Sequence, residues 1–180
     1  LSLKEIVEAE AGRGPVVVVV SALNGITDKL IATSEMAKNG DCHYREEFEA
    51  MVTRHHQMND AIIQDDKKRI DLFNNVDQLF DQLRSIYCGV FLIHDLSEKT
   101  QDTIISYGER LSSHIVAAMI KNGVRMNSRD FIRTENKEGK HVLDTELTMK
   151  LVKESFATFH TNNTNASKTV AVVPGFIARD

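Results

Sequence analysis

The chain has 180 residues, 42% of them hydrophobic, and a formal net charge of −4. That is enough chain for one domain with a sizeable core, and too acidic a balance for a partner built on a phosphate backbone. No Lys/Arg cluster stands out along the sequence, no apolar run approaches the length of a membrane span, and the N-terminus has no charged-then-apolar signal pattern. Nucleic-acid-binding, membrane and signal-bearing classes are therefore not expected, and the protein should be soluble.

Residues 2–10 carry Leu3, Ile6 and Val7 at helical spacing and run into Ala11-Gly12-Arg13-Gly14-Pro15, which stops a helix. Val16 to Val20 then form a run of five β-branched residues with no alternation, the pattern of a central strand covered on both faces in a parallel sheet. From Asp28 to about Tyr87 the chain is charged, free of proline and helical in periodicity. Breaks at residues 39–41 and 65–66 divide it into three helices, the last two an antiparallel hairpin over about 44–87. Residues 87–100 read as an apolar interruption followed by a Ser97 helix cap ahead of Glu98. A helix over roughly 101–122 ends at Asn122-Gly123, a short strand covers 124–126, and residues 127–131 form a loop. A helix over 144–159, a polar surface loop over 160–168 and a strand over 169–176 ended by Pro174-Gly175 complete the order. The fold class expected is α/β.

The two cysteines, Cys42 and Cys88, lie far apart without CxxC spacing, so neither a disulfide framework nor a zinc site is expected, and a reducing cytoplasm fits. The seven histidines lack the i, i+4 placement of a helical metal pair, and no metal site is expected. Two glycosylation-type tripeptides, at 162–164 and 165–167, mean little without secretion.

In open α/β sheets, ligands collect at the carboxyl ends of strands. Ser21 closes the valine strand, Asn24-Gly25 turns the chain, and Thr27 is placed to cap the next helix with Asp28 in its first turn. Such an end suits a phosphate or a carboxylate. The same pattern also serves a plain strand terminator and helix cap. On the 101–122 helix, Ile104, Gly108, Leu111 and Ile115 share one stripe, and Ile105, Glu109, Ser112 and Val116 share the next. Glu109 should therefore face the protein and need a partner: an arginine, a helix end or a bound ammonium group. Gly108 leaves room for a close approach. Arg129-Asp130 lies at another strand end, with a surface ion pair as the plainer alternative.

Four segments, "VVVVVSALNGITDKL", "TIISYGERLSS", "GVRMNSRDFI" and "VAVVPGFIARD", in this order and spacing, resemble the catalytic domain of aspartokinases, members of the amino-acid kinase family. The resemblance implies a three-layer α/β/α sandwich with a mainly parallel sheet, here incomplete and helix-rich. It makes residues 1–180 a partial catalytic domain, the aspartate-binding portion, with the hairpin inserted. It also implies transfer of the γ-phosphoryl of Mg-ATP to the β-carboxylate of L-aspartate, towards lysine, threonine and methionine. ATP and Mg2+ would be the cofactors of the intact parent, a cytoplasmic homo-oligomer or, in a plant, one of an organelle stroma. Ser21 and Thr27 match the family's hydroxyls around aspartate, and Glu109 matches the glutamate that receives its amino group; Gly25, Arg129 and Asp130 are further candidates for the substrate site.

The family's lysine-bearing K-F-G-G-T-S strand and arginine-bearing G-R-G-G-S-D segment have no counterpart in these 180 residues. Phosphoryl transfer rests on positioning and charge neutralisation, so the fragment alone is expected to be inactive. The alternatives are another amino-acid kinase or a non-catalytic module retaining the fold.

Overall fold

The computed structural model describes residues 2–138, 140–163 and 169–179. The order is α1 (Leu3–Ala11), β1 (Val16–Val20), α2 (Ile26–Lys38), α3 (Tyr44–Ile62), α4 (Asp66–Ile93), α5 (Glu98–Met119), β2 (Gly123–Arg125), β3 (Thr134–Lys137), β4 (Lys140–Leu143), α6 (Thr145–Asn162) and β5 (Val170–Pro174), with a single 3-10 turn at Ser128–Asp130. The polar loop read over 160–168 lies in part outside the described residues, as do both glycosylation-type tripeptides; residues 160–162 close α6.

Three strands form a parallel sheet in the order β1-β5-β2, with Val16 to Val20 opposite Val170 to Pro174 and Gly123 to Arg125 opposite Val170 to Val172. Every residue of β5 is buried. Packed on one sheet face, α5 and α1 enclose a small core of Val7, Val116, Ile120, Val170 and Val172, against which Val16, Val18 and Val20 rest. A larger core lies among α2 to α5, around Leu30, Phe48, Val76, Leu83, Tyr87 and Leu111. The result is a helix-rich, incomplete α/β fold on a parallel sheet. Among the described residues, no helix is long and apolar enough to cross a membrane.

The expected helices form, and side chains cap the starts of α1, α4, α5 and α6. Ser2 and Glu5 make a reciprocal capping box on α1, while Asp65, Ser97 and Asp144 accept from Lys68, Thr100 and Leu147 N–H groups.

Four expectations are corrected. First, β1 lies at the edge of the three-stranded sheet, with β5 central, and its burial alternates: Val17 and Val19 are 51% and 67% exposed. Second, α2 begins two residues earlier than a Thr27 cap requires. Gly25, at φ 74, is its N-cap, and Thr27 lies within the first turn. Third, residues 87–93 do not interrupt the helix. They complete α4, because Tyr87 and Val90 are buried and Phe91 stacks 5.2 Å from Tyr44. Fourth, residues 134–143, assigned no element from sequence, form the antiparallel pair β3-β4.

Candidate functional site

The chain leaves β1 at Ser21, which is exposed, and turns through Asn24-Gly25 into α2, leaving Thr27 half-buried at the helix start. Three contacts fix this loop from different directions. Ser112 Oγ on α5 donates to the Ser21 carbonyl at 2.6 Å, Arg54 Nη2 on α3 donates to the Asn24 carbonyl at 2.9 Å, and Gly175 N, just past β5, donates to the Val20 carbonyl at 2.8 Å. The hairpin thus reaches back to hold the end of the first strand. Phe176, next in the chain, takes φ 55 and leaves its ring fully exposed at this same end; its place in a P-G-F turn was the available sequence signal.

Directly beneath the loop, α5 presents Gly108 and Glu109. A Cβ built on Gly108 would stand 2.7 Å from the Ala22 Cβ, so the missing side chain is what lets helix and loop touch. Glu109 is 6% exposed. Its Oε1 accepts from the Ala22 N–H at a long 3.4 Å, and its Oε2 is buried with no hydrogen-bond partner in the structure. The reading that Glu109 faces inward holds. An ionised carboxylate in such a place is unstable without a further donor, so the second oxygen is the strongest ligand-directed feature at this end. The Ser21 backbone and Glu109 are brought together through Ala22 and Ser112, Gly25 closes the loop as the N-cap of α2, and Thr27 follows in that helix's first turn.

Arg129 and Asp130 are placed differently. They do not pair with each other as a surface ion pair: Asp130 Oδ1 accepts from Asn127 Nδ2 at 3.2 Å, while Arg129 Nε is buried without a partner. The charged groups that act on Arg129 are Arg110, Asp130 and Arg179, together with Tyr107, and burial lowers its pKa first. Sequence reading missed Arg110 and Arg125 altogether. Arg110 is 7% exposed, and Arg125 is pushed down to about 10 by burial, then by Arg110 and Arg129.

The histidines mostly pack. His55 is fully buried with Nδ1 on the Met51 carbonyl at 2.8 Å, and burial holds its pKa down. His114 is pushed down to about 4 by burial and then by Arg125 and Arg110. Among the described residues, Asp41, Cys42 and His43 bring ligand-type atoms within 4.8 Å of one another, all exposed in the turn between α2 and α3. His43 Nδ1 and Asp41 Oδ1 are 2.7 Å apart there, which satisfies both without an ion.

The arrangement is that of an α/β protein: a parallel sheet with helix-borne polar groups gathered at one strand's carboxyl end, over a buried half-satisfied carboxylate, the end where ligands collect in open α/β sheets. By sequence and fold, the chain is related to the aspartokinases. It is 27% identical over 112 residues, 60% of this chain, to the aspartokinase of Candida albicans (strain SC5314), and that match covers 20% of the yeast protein. In fold it superposes on E. coli aspartokinase III in complex with aspartate and ADP (R-state) with a TM-score of 0.79 at 18% identity, covering 98% of this chain and 37% of that one. The same enzyme in complex with lysine and aspartate (T-state) gives 0.78 at 18% identity, with the same coverage. The chain thus spans well under half the length of these relatives. No family model matches it.

Proposed function

We propose that this chain is the aspartate-binding portion of an ATP-dependent aspartate kinase, acting at the entry to lysine, threonine and methionine synthesis. The observation that carries the reading is Glu109: a buried carboxylate with one oxygen on the Ala22 N–H and the other unpartnered, under a loop that carries Ser21 and leads into Thr27 on the first turn of α2. A substrate ammonium is the group this oxygen lacks, and the charge-assisted bond would offset the cost of burying the carboxylate. With the amino group on Glu109, the β-carboxylate lies toward the loop hydroxyls. One of its oxygens forms a bond to the γ-phosphorus of ATP as the bond from that phosphorus to the β,γ-bridging oxygen breaks. ADP leaves with that electron pair, no proton is transferred, and the product is an acyl phosphate.

The magnesium ion implied by the resemblance has no ligand set here. Among the described residues, Glu109 is the one carboxylate hydrogen-bonded into this strand end, and its chemistry suits an ammonium. What these residues contribute is binding and orientation of the acceptor. The chain spans well under half the length of the relatives it matches, so the reading is one for a full-length protein. Its test is ADP release from Mg-ATP by that protein with and without L-aspartate. Aspartate-dependent release that falls at least 100-fold in Glu109→Gln supports the reading; release independent of aspartate refutes it.

A further inference from the structure

We propose that Arg110, Arg125 and Arg129 form a second anion site, for a phosphate-type dianion, at the carboxyl end of β2 and apart from the Glu109 site. The three side chains converge from α5, the last residue of β2 and the 3-10 turn. Ser113 Oγ, one turn along α5 from Arg110, donates to the Arg110 main-chain carbonyl at 2.8 Å and accepts from Arg125 Nε at 2.8 Å, and the charge of Arg110 acts on both Arg125 and Arg129.

Among the described residues, the side-chain contacts of Arg110 and Arg125 are with neutral groups. The Arg110 guanidinium sits 4.1 Å over the Tyr107 ring and donates Nη2 to Gln82 Oε1 at 3.2 Å, while its Nε is buried and unpartnered. Arg129 Nε is likewise buried and unpartnered, and Arg125 Nε is spent on a hydroxyl. Among the described residues, none of the three has a carboxylate within ion-pair distance. Asp130 is the acidic group whose field reaches Arg125 and Arg129, and it is exposed and hydrogen-bonded to Asn127. Arg179 adds a further positive charge near Arg129.

Arg110 is buried and Arg125 and Arg129 are half-buried, and like charges held in such a place with idle donors are costly unless an anion joins them. Guanidinium forks match phosphoryl oxygens in geometry and number. The three cations, with Arg179 beside Arg129, face Asp130 as the acidic group acting on them, so a net positive charge remains that a dianion offsets further than a single carboxylate does. The site is reachable, since Arg125 and Asp130 also line an open cleft of about 650 Å3 beside α6.

The experiment is titration calorimetry of inorganic phosphate into the full-length protein with ADP saturating, so that nucleotide-phosphate sites are already filled. Acetate and chloride serve at matched ionic strength. Phosphate should bind at least tenfold more tightly than acetate, with no heat from chloride beyond dilution. Arg129→Gln should weaken phosphate at least tenfold, Arg129→Lys should weaken it less, and Arg13→Gln, an exposed arginine on another element, should leave it unchanged. Wild-type protein that binds phosphate no better than acetate overturns the proposal, as does a folded Arg129→Gln variant that binds phosphate like wild type. Neither result bears on aspartate-dependent ADP release.

Discussion

Gly108→Ala tests whether the contact between α5 and the β1–α2 loop sets the candidate site. The new methyl would lie 2.7 Å from the Ala22 Cβ, 3.5 Å from Leu30 Cδ1 and 3.8 Å from the Ala22 Cα. Carbon atoms settle near 3.5 to 4.0 Å, so about 1 Å must open between helix and loop. Ala22 has no rotatable side chain to yield, so the backbone moves. Overpacking of this kind costs about 1 to 3 kcal/mol, and replacing a helical glycine by alanine returns up to about 1 kcal/mol. The net expectation is a loss of about 1 to 2 kcal/mol. Function should suffer more, because the 3.4 Å Ala22–Glu109 contact and the 2.6 Å Ser112–Ser21 contact both cross the gap. A misplacement of about 1 Å can cost up to about 100-fold in rate. The assay is aspartate-dependent ADP release by the full-length protein, with thermal unfolding alongside. Ala22→Gly removes the opposing methyl, so the double variant should recover most of the lost kcat/KM. A Gly108→Ala protein with unchanged kcat/KM for aspartate and a raised melting temperature would refute the reasoning.

Three further outcomes follow from the packing. Tyr87 is fully buried and donates its hydroxyl to the Leu30 carbonyl at 3.0 Å, so Tyr87→Phe should cost about 1 kcal/mol in urea unfolding without changing the m-value. A Cβ on Gly123 would stand 2.4 Å from the Ala117 carbonyl oxygen, so Gly123→Ala should lose about 3 kcal/mol or more and lower the yield of folded protein. His114, held down to about 4 from 6.5 by burial and then by Arg125 and Arg110, is neutral in the fold and charged in the acidic unfolded chain. Its contribution, about 3 kcal/mol at most, is complete above pH 6.5 and is lost as pH falls toward 4, so unfolding curves of His114→Gln should be flatter across that window than those of wild type.

Much of this was legible from local pattern. The α5 stripes placed Glu109 inward and Gly108 against a neighbour, because a 22-residue helix fixes which residues share a face. The hairpin showed in its periodicity, and Ser97 in its capping pattern. What failed depended on partners distant in sequence. Five valines suit burial on one face as well as two, so the sequence could not reveal that β1 is an edge strand here. Residues 134–143 are polar and lack alternation, which hid the β3-β4 pair. The stretch 88–93 looks like an apolar break until Tyr44 is placed beside Phe91. The arginine group is spread over α5, β2 and the 3-10 turn, so no basic cluster stands out along the chain. A buried helix carrying Arg110 next to Glu109 was the one signal pointing to it.

The central claim is that Glu109 receives the amino group of the substrate. Its most direct test is the affinity of the full-length protein for L-aspartate and for succinate, the same dicarboxylate without the amino group, in wild type and in Glu109→Gln. Wild type should prefer aspartate by about 100-fold or more, and the variant should bind the two with nearly equal affinity. Preference for aspartate that survives the substitution intact would place the ammonium elsewhere and contradict the account.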